Sequence, residues 1–144
     1  MPEYSVQIVT PVYNSSKTLK KCLDSLLNQT FKAWQVILVD DASKDNSLEV
    51  IKEYALKDKR IKFIALEKNG GSSNARNQAL KIIDAEYVAF LDSDDLWLPG
   101  KLSRQTEFME SNHCKPKLRN FTIISKYLYL TLTIKSIIKK EKRL

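Results

Sequence analysis

Four apolar runs of strand type begin at Tyr4, Trp34, Ile61 and Tyr87, and each leads into a stretch whose apolar residues recur at helical spacing. This alternation constrains the fold more than any other feature. Parallel neighbours cannot be joined by a tight turn and need a crossover, normally a helix. Strand followed by helix, four times between Tyr4 and Glu110, therefore predicts an α/β domain. Its mostly parallel sheet should carry helices on both faces, connected by right-handed crossovers.

The first strand, Tyr4–Thr10, is rich in β-branched residues, and Pro11 is expected to end it, with Pro11–Asn14 as a loop. Ser15 or Ser16 can cap a helix carrying Leu19, Cys22, Leu23, Leu26 and Leu27, ending near Gln29 and Thr30. Trp34–Asp40 is a second strand, and Ser43 is a candidate cap for a helix with Leu48, Ile51, Tyr54 and Ala55 in one stripe. Ile61–Leu66 is a third strand. The turn Glu67–Asn74 then enters a helix over Ala75–Ile83, with Ala79, Leu80 and Ile83 inward. Tyr87–Leu91 is the fourth strand, and Pro99 suits the first turn of a helix reaching Glu110.

The chain of 144 residues has room for one domain with a real core, and its two cysteines make no disulfide framework. A reducing compartment is expected, and Met1–Tyr4 leads into strand sequence with no basic-then-apolar leader. No apolar run reaches the ~18 residues that a spanning helix needs. The net charge of +7 suggests nucleic acid, but its distribution argues against that partner. Residues 113–144 carry nine Lys or Arg against Glu141 alone, a balance of +8, which leaves −1 for residues 1–112. The expected division is a body over 1–112 and a basic tail over 113–144. Within that tail Lys126–Lys135 alternates as an edge strand, and Ser136–Leu144 is a frayed end offering peripheral contact with anionic lipid.

In open α/β sheets ligands bind beyond the carboxyl ends of the strands. Four polar groups fall on that edge. Thr10, Pro11, Tyr13 and Asn14 follow strand one; Asp40 and Asp41 follow strand two. Gly70 and Gly71 follow strand three, with Arg76 in the helix beyond; Asp92, Ser93, Asp94 and Asp95 follow strand four. Crowded carboxylates of this kind suit a hard divalent cation that itself holds phosphate oxygens. Tyr13 can stack on a base, an aspartate can accept a pyrimidine N–H, and amides at a helix start with Arg76 beside them favour phosphate. Together they describe a nucleotide-diphosphate site. Singly each has a plainer reading: Tyr13 as a packed aromatic, Asp40 as a turn residue, Arg76 as a surface cation. Trp34 and Trp97 read as packing residues and His113 as exposed.

Five phrases, Val9–Asn14, Ser25–Phe31, Leu38–Asp45, Asn69–Asn77 and Phe90–Pro99, arrive in an order that resembles glycosyltransferase family 2, enzymes of the Rossmann-like GT-A fold. The resemblance covers residues 4–110, the donor-binding half, so the fold implied is a GT-A domain truncated after that half. It implies a nucleotide-sugar donor, usually a UDP-sugar, bound with Mn²⁺ or Mg²⁺. Thr10, Pro11, Tyr13 and Asp41 would contact uridine, and Arg76 the base or diphosphate. Asp92-Ser93-Asp94 would be the Asp-x-Asp motif, with Asp92 toward the ribose and Asp94 or Asp95 toward the metal. The implied reaction is inverting transfer to an acceptor hydroxyl in surface polysaccharide or glycolipid synthesis, at the cytoplasmic side of the membrane. The family's base comes from its second half, and the tail here offers only Glu141, so the catalytic base stays unassigned.

Two other functions compete with that one. A non-catalytic module, binding nucleotide-sugar or a membrane surface, would rely on the basic tail. A phosphatase of the haloacid dehalogenase type is suggested by Phe90–Asp94, but there that motif opens its domain and carries Thr or Val where Leu96 stands.

Overall fold

The computed structural model describes residues 3–112, 117–118 and 121–124. Its elements are β1 (Val6–Val12), α1 (Leu19–Leu27), β2 (Trp34–Asp40), α2 (Ser47–Lys57) and β3 (Ile61–Ala65). They continue with α3 (Ser72–Leu80), β4 (Tyr87–Phe90), α4 (Lys101–Ser111), β5 (Lys117–Leu118) and β6 (Phe121–Ile124). Among the described residues the sheet has the order β3-β2-β1-β4-β6-β5. All neighbours pair in parallel except β5, which lies antiparallel to β6. The expected α/β architecture is borne out. The expected strand Lys126–Lys135, the end Ser136–Leu144, His113 and Glu141 lie outside the described residues.

The strand order reverses at β1. The chain steps outward from β1 to β3, then returns to place β4 on the other side of β1. Such a switch point opens a crevice beyond the strand ends. Two apolar layers fill the faces of the sheet. Val6, Ile8, Trp34, Val36, Leu38 and Ala89 pack with α1, α2 and α4 through Leu19, Leu23, Ile51 and Leu102. On the other face Val9, Ile37, Val39 and Val88 meet Ala75 and Ala79 of α3, with Ile64, Leu80, Ile83 and Phe90 at the margin. Alanine matters here, because the absence of a longer side chain lets α3 lie against the strands.

Several boundaries differ from the sequence expectation. Pro11 does not end β1, which continues to Val12 with Pro11 in register with Val39. The Val12 carbonyl accepts the Asp41 N–H from the β2 side, whereas the Val9 carbonyl accepts that of Leu91 from the β4 side. Pro11 shares the orientation of Val9, and pairing with β4 stops at Phe90. Its missing donor thus falls where no partner strand continues, a position that tolerates proline. α1 starts at Leu19 after Thr18, which makes no side-chain cap bond, and α2 follows Asn46 rather than Ser43. Val50 and Ser47 are buried in α2, while Leu48 is only half-buried. α3 begins at Ser72 rather than Ala75, and Pro99 lies ahead of α4, whose N-cap is Gly100.

Close packing of α3 gives a stability test. Ala79→Leu should cost about 1–3 kcal/mol through overpacking, read as a lower urea midpoint. Leu56→Ser, at a position 89% exposed, should stay within about 0.5 kcal/mol of the parent.

Candidate functional site

The carboxyl ends of β1, β2 and β4 and the start of α3 enclose a cavity of about 310 Å³. It is lined by Pro11, Val12, Tyr13, Asp41, Ser72, Arg76, Asp92, Ser93 and Asp94. Asp41 is the first residue past β2 and is only 2% exposed. Its carboxylate accepts the backbone N–H groups of Gly70 and Gly71, each at 2.8 Å. The amides expected to face phosphate are therefore held by Asp41. The first intrahelical bond of α3 runs from Ala75 N–H to Gly71 carbonyl, so the N–H groups of residues 72–74 precede the helical ladder. Gly71 reaches this geometry with φ of 87° and ψ of 164°, a region essentially restricted to glycine.

Arg76, one turn into α3, spans the cavity floor. Its Nη2 donates to Asp92 Oδ1 at 2.7 Å and its Nη1 to Ser72 Oγ at 3.3 Å. The guanidinium carries five N–H donors, so others stay available for a ligand. Asp92 and Asp94 both line the cavity beside that ion pair.

The acidic loop is fixed to α1 from below. The buried Cys22 thiol donates to the Asp92 carbonyl at 3.6 Å, and the Ser15 and Ser93 hydroxyls share a hydrogen bond of 2.7 Å. Trp97 N–H donates to Ser25 Oγ at 3.2 Å, Gln29 Nε2 to the Leu98 carbonyl at 2.7 Å, and Thr30 N–H to the Pro99 carbonyl at 2.9 Å. Gln29 Oε1 then accepts Leu102 N–H at 3.1 Å, satisfying an early amide of α4. Burial, helped by Asp95, Asp94 and Asp92, pushes the Cys22 thiol up to about 12. It stays protonated and acts as a donor. The sequence assigns Ser25, Gln29 and Thr30 no role in the site; their signal is two polar side chains four residues apart, one in the last turn of an apolar helix and one just past its end.

Tyr13, 46% exposed, overhangs the cavity from a loop pinned to the β2–α2 connection. Asn14 has φ of 47°, donates its N–H to Ser43 Oγ at 3.0 Å and accepts Lys44 N–H at 2.8 Å. Asp45 supplies the cap expected of Ser43: its Oδ1 accepts Ser47 Oγ at 2.6 Å and Ser47 N–H at 3.0 Å, its Oδ2 Ser16 N–H at 3.0 Å. Ser47 Oγ in turn accepts Ser15 N–H at 2.8 Å. Burial would raise the Asp45 pKa, yet the Ser47 and Ser16 hydrogen bonds outweigh it and hold the carboxyl at about 2.

The remaining predicted residues lie elsewhere. Thr10 and Asp40 are buried on the α1–α2 face, beside Val12 and Leu38, and do not line the cavity. Thr10 Oγ1 and Asp40 Oδ1 have no hydrogen-bond partner among the described residues, while Asp40 Oδ2 accepts Ser43 N–H at 3.2 Å. Asn14 borders a separate cavity beyond Tyr13. Asp95 lines a neighbouring cavity with Leu96, Trp97, Leu98 and Lys101. There the Lys101 ammonium sits 3.3 Å from the Trp97 ring centroid, and burial lowers its pKa to about 7. Among the described residues no three His, Cys, Asp or Glu side chains form a metal cage. Asp92 and Asp94 offer two carboxylates, the complement expected for a hard cation that draws its other oxygens from phosphate and water.

The sequence profile of glycosyl transferase family 2 matches residues 7–117. The chain belongs to this family. It is 38% identical over 120 residues, 83% of its length, to the Bacillus subtilis (strain 168) protein TuaG, named for teichuronic acid biosynthesis, and covers 48% of that protein. It is 38% identical over 125 residues, 87% of its length, to the Escherichia coli UDP-Glc:alpha-D-GlcNAc-diphosphoundecaprenol beta-1,3-glucosyltransferase WfgD, covering 49% of it. The chain thus spans about half the length of the curated relatives it matches. Among solved structures, S. aureus TarS 1-349 in complex with UDP-GlcNAc superposes with a TM-score of 0.71 at 36% identity, over 75% of this chain and 32% of that TarS 1-349 chain. Among the described residues no helix is long and apolar enough to cross a membrane.

Two tests address the supports of this family site. The Asp45 pKa is depressed from 3.8 to about 2, so its stabilisation is present above pH 3.8 and is lost as pH falls through about 2. The urea-midpoint gap between the parent and Asp45→Asn should therefore narrow between about pH 4 and pH 2; a constant gap would show that charge has no part in the cap. Gly71→Ala should cost about 1–3 kcal/mol from backbone strain alone, measured by the same denaturation.

Proposed function

We propose that the cavity binds a nucleotide-diphosphate sugar, UDP-linked, with Mn²⁺ or Mg²⁺, as the donor for inverting sugar transfer. The observation that carries this reading is the convergence of Tyr13, Asp41, Arg76, Asp92 and Asp94 on one cavity of about 310 Å³ at the switch point of the sheet. An aromatic face, a hydrogen-bond acceptor, a guanidinium and two carboxylates are the partners a base, its edge, a diphosphate and a cation require. Family membership and the UDP-GlcNAc complex of TarS support the same ligand class.

In this reading Tyr13 stacks on uracil. Each Asp41 oxygen keeps a lone pair after accepting a glycine amide, and one of them takes the base N–H. Arg76 orients the diphosphate while holding Asp92 in place. Asp92 Oδ2 and Asp94 would hold the divalent ion, which when bound supplies Lewis-acid stabilisation of the leaving diphosphate. Ser93, tied to Ser15, fixes the spacing of the two aspartates. Thr10 and Asp40 act from the layer beneath, and Asp95 belongs to the acceptor side. The acceptor is a hydroxyl of a saccharide or lipid-linked glycan in surface-polymer synthesis, consistent with the WfgD substrate. Such an acceptor would put the reaction at the inner face of the membrane. The base that deprotonates it is not assigned to any residue of this chain.

Isothermal titration tests the donor site. UDP with Mn²⁺ should bind at submillimolar concentration and lose affinity when the ion is chelated. Tyr13→Ala should cost about 1–3 kcal/mol, the scale of base–aromatic stacking. Asp94→Asn should weaken binding about tenfold, or ~1.4 kcal/mol. Absence of binding at millimolar UDP would refute the reading.

A further inference from the structure

The cavity on the far side of Asp95 has a composition that donor binding does not use. It measures about 610 Å³ and is walled by Leu96, Trp97, Leu98 and Pro99 on one part and by Lys101 and Arg104 on another. We propose that it seats the diphosphate and first prenyl unit of a lipid-linked acceptor, with Lys101 and Arg104 holding the anion and Leu96 and Leu98 the chain. The assignment as acceptor rests on reading the neighbouring cavity as the donor site, because Asp94 lines that cavity and Asp95, the next residue, lines this one.

Lys101 carries the argument furthest. Its Nζ is buried beside Trp97 and has no hydrogen-bond partner among the described residues. A desolvated ammonium with no anion is costly, and an anion entering the cavity would relieve that cost. Arg104 lies three residues on, on the same helix face, and is folded back over Gly100: a Cβ there would stand 3.6 Å from its Nε. It forms no ion pair among the described residues. Leu96 and Leu98 are 61% and 77% exposed in a loop whose backbone is fixed by Ser25, Gln29 and Thr30. A soluble anion would leave those leucines idle, and a neutral lipid would leave the cations unpaired. An amphiphile with a diphosphate head satisfies both.

The test uses the full chain saturated with UDP and Mg²⁺, titrated with farnesyl diphosphate. Binding alongside UDP is expected, with farnesol and inorganic pyrophosphate each at least tenfold weaker. Lys101→Met, Arg104→Gln and Leu98→Ser should each weaken farnesyl diphosphate at least tenfold and leave UDP affinity unchanged; the two exposed positions keep the test valid if Lys101→Met does not fold. Competition with UDP, or variants that bind as the parent does, would overturn the proposal. So would binding to phosphatidylglycerol vesicles through Lys101 and Arg104 without any affinity for farnesyl diphosphate, which would mark a bilayer contact. Loss of UDP binding with variant-sensitive farnesyl diphosphate binding retained would overturn the donor reading and the name of acceptor, and leave the anionic-lipid site standing.

Discussion

Like charges crowded at the end of a buried strand repel, and much of the structure around β4 can be understood as holding three of them. Asp92, Asp94 and Asp95 follow within a few residues of Phe90. Hydrogen bonds worth about 1 kcal/mol each recur along the loop, from Cys22, Ser15, Ser25, Gln29 and Thr30, and Arg76 adds an opposite charge. The side chains are spread rather than clustered: Asp94 turns to one cavity and Asp95 to the next. Charge left in this arrangement is available for a cation and its phosphates.

The same principle governs Asp41. A buried carboxylate needs donors, and the two consecutive glycine amides supply them at 2.8 Å each. That contact joins the end of β2 to the start of α3, and so sets how far Arg76 reaches toward Asp92. Asp45 performs the equivalent task on the other side of Tyr13, tying Ser16 to Ser47. Three aspartates, Asp41, Asp45 and Asp92, thus act as structural acceptors for backbone amides or for an arginine, and Asp41 and Asp92 among them line the cavity.

Much of this was legible in the sequence. Mostly apolar runs mark β1, β2 and β4, which are buried almost throughout, whereas β3 lies at the sheet edge with Lys62, Phe63 and Ala65 exposed. The alternation with helical spacing implies a parallel sheet. The polar residues at the strand ends were likewise visible, and Pro11, Tyr13, Asp41, Arg76, Asp92, Ser93 and Asp94 do share one cavity. What the residues did not reveal depended on direction and on partners far along the chain. Pro11 inside β1 is tolerable only because β4 ends beside it. Thr10 and Asp40 face the α1–α2 layer by strand alternation, which register decides and composition does not. Ser43 looked like the cap of α2, but Asp45 also had Ser16 to bind and serves both segments. The clamp of Ser25 and Gln29 on the Trp97–Leu102 segment spans some seventy residues of sequence, beyond the reach of any local pattern.

Family membership and the fold make a common frame, and the central claim within it is that one metal-bound sugar nucleotide occupies the crevice between β1 and β4. A crystal structure of the chain grown with UDP and Mn²⁺ addresses that claim directly. The account predicts an anomalous manganese peak bridging Asp92 or Asp94 and the diphosphate, with uracil against Tyr13. Manganese bound away from those carboxylates, or UDP seated outside the cavity, would contradict it.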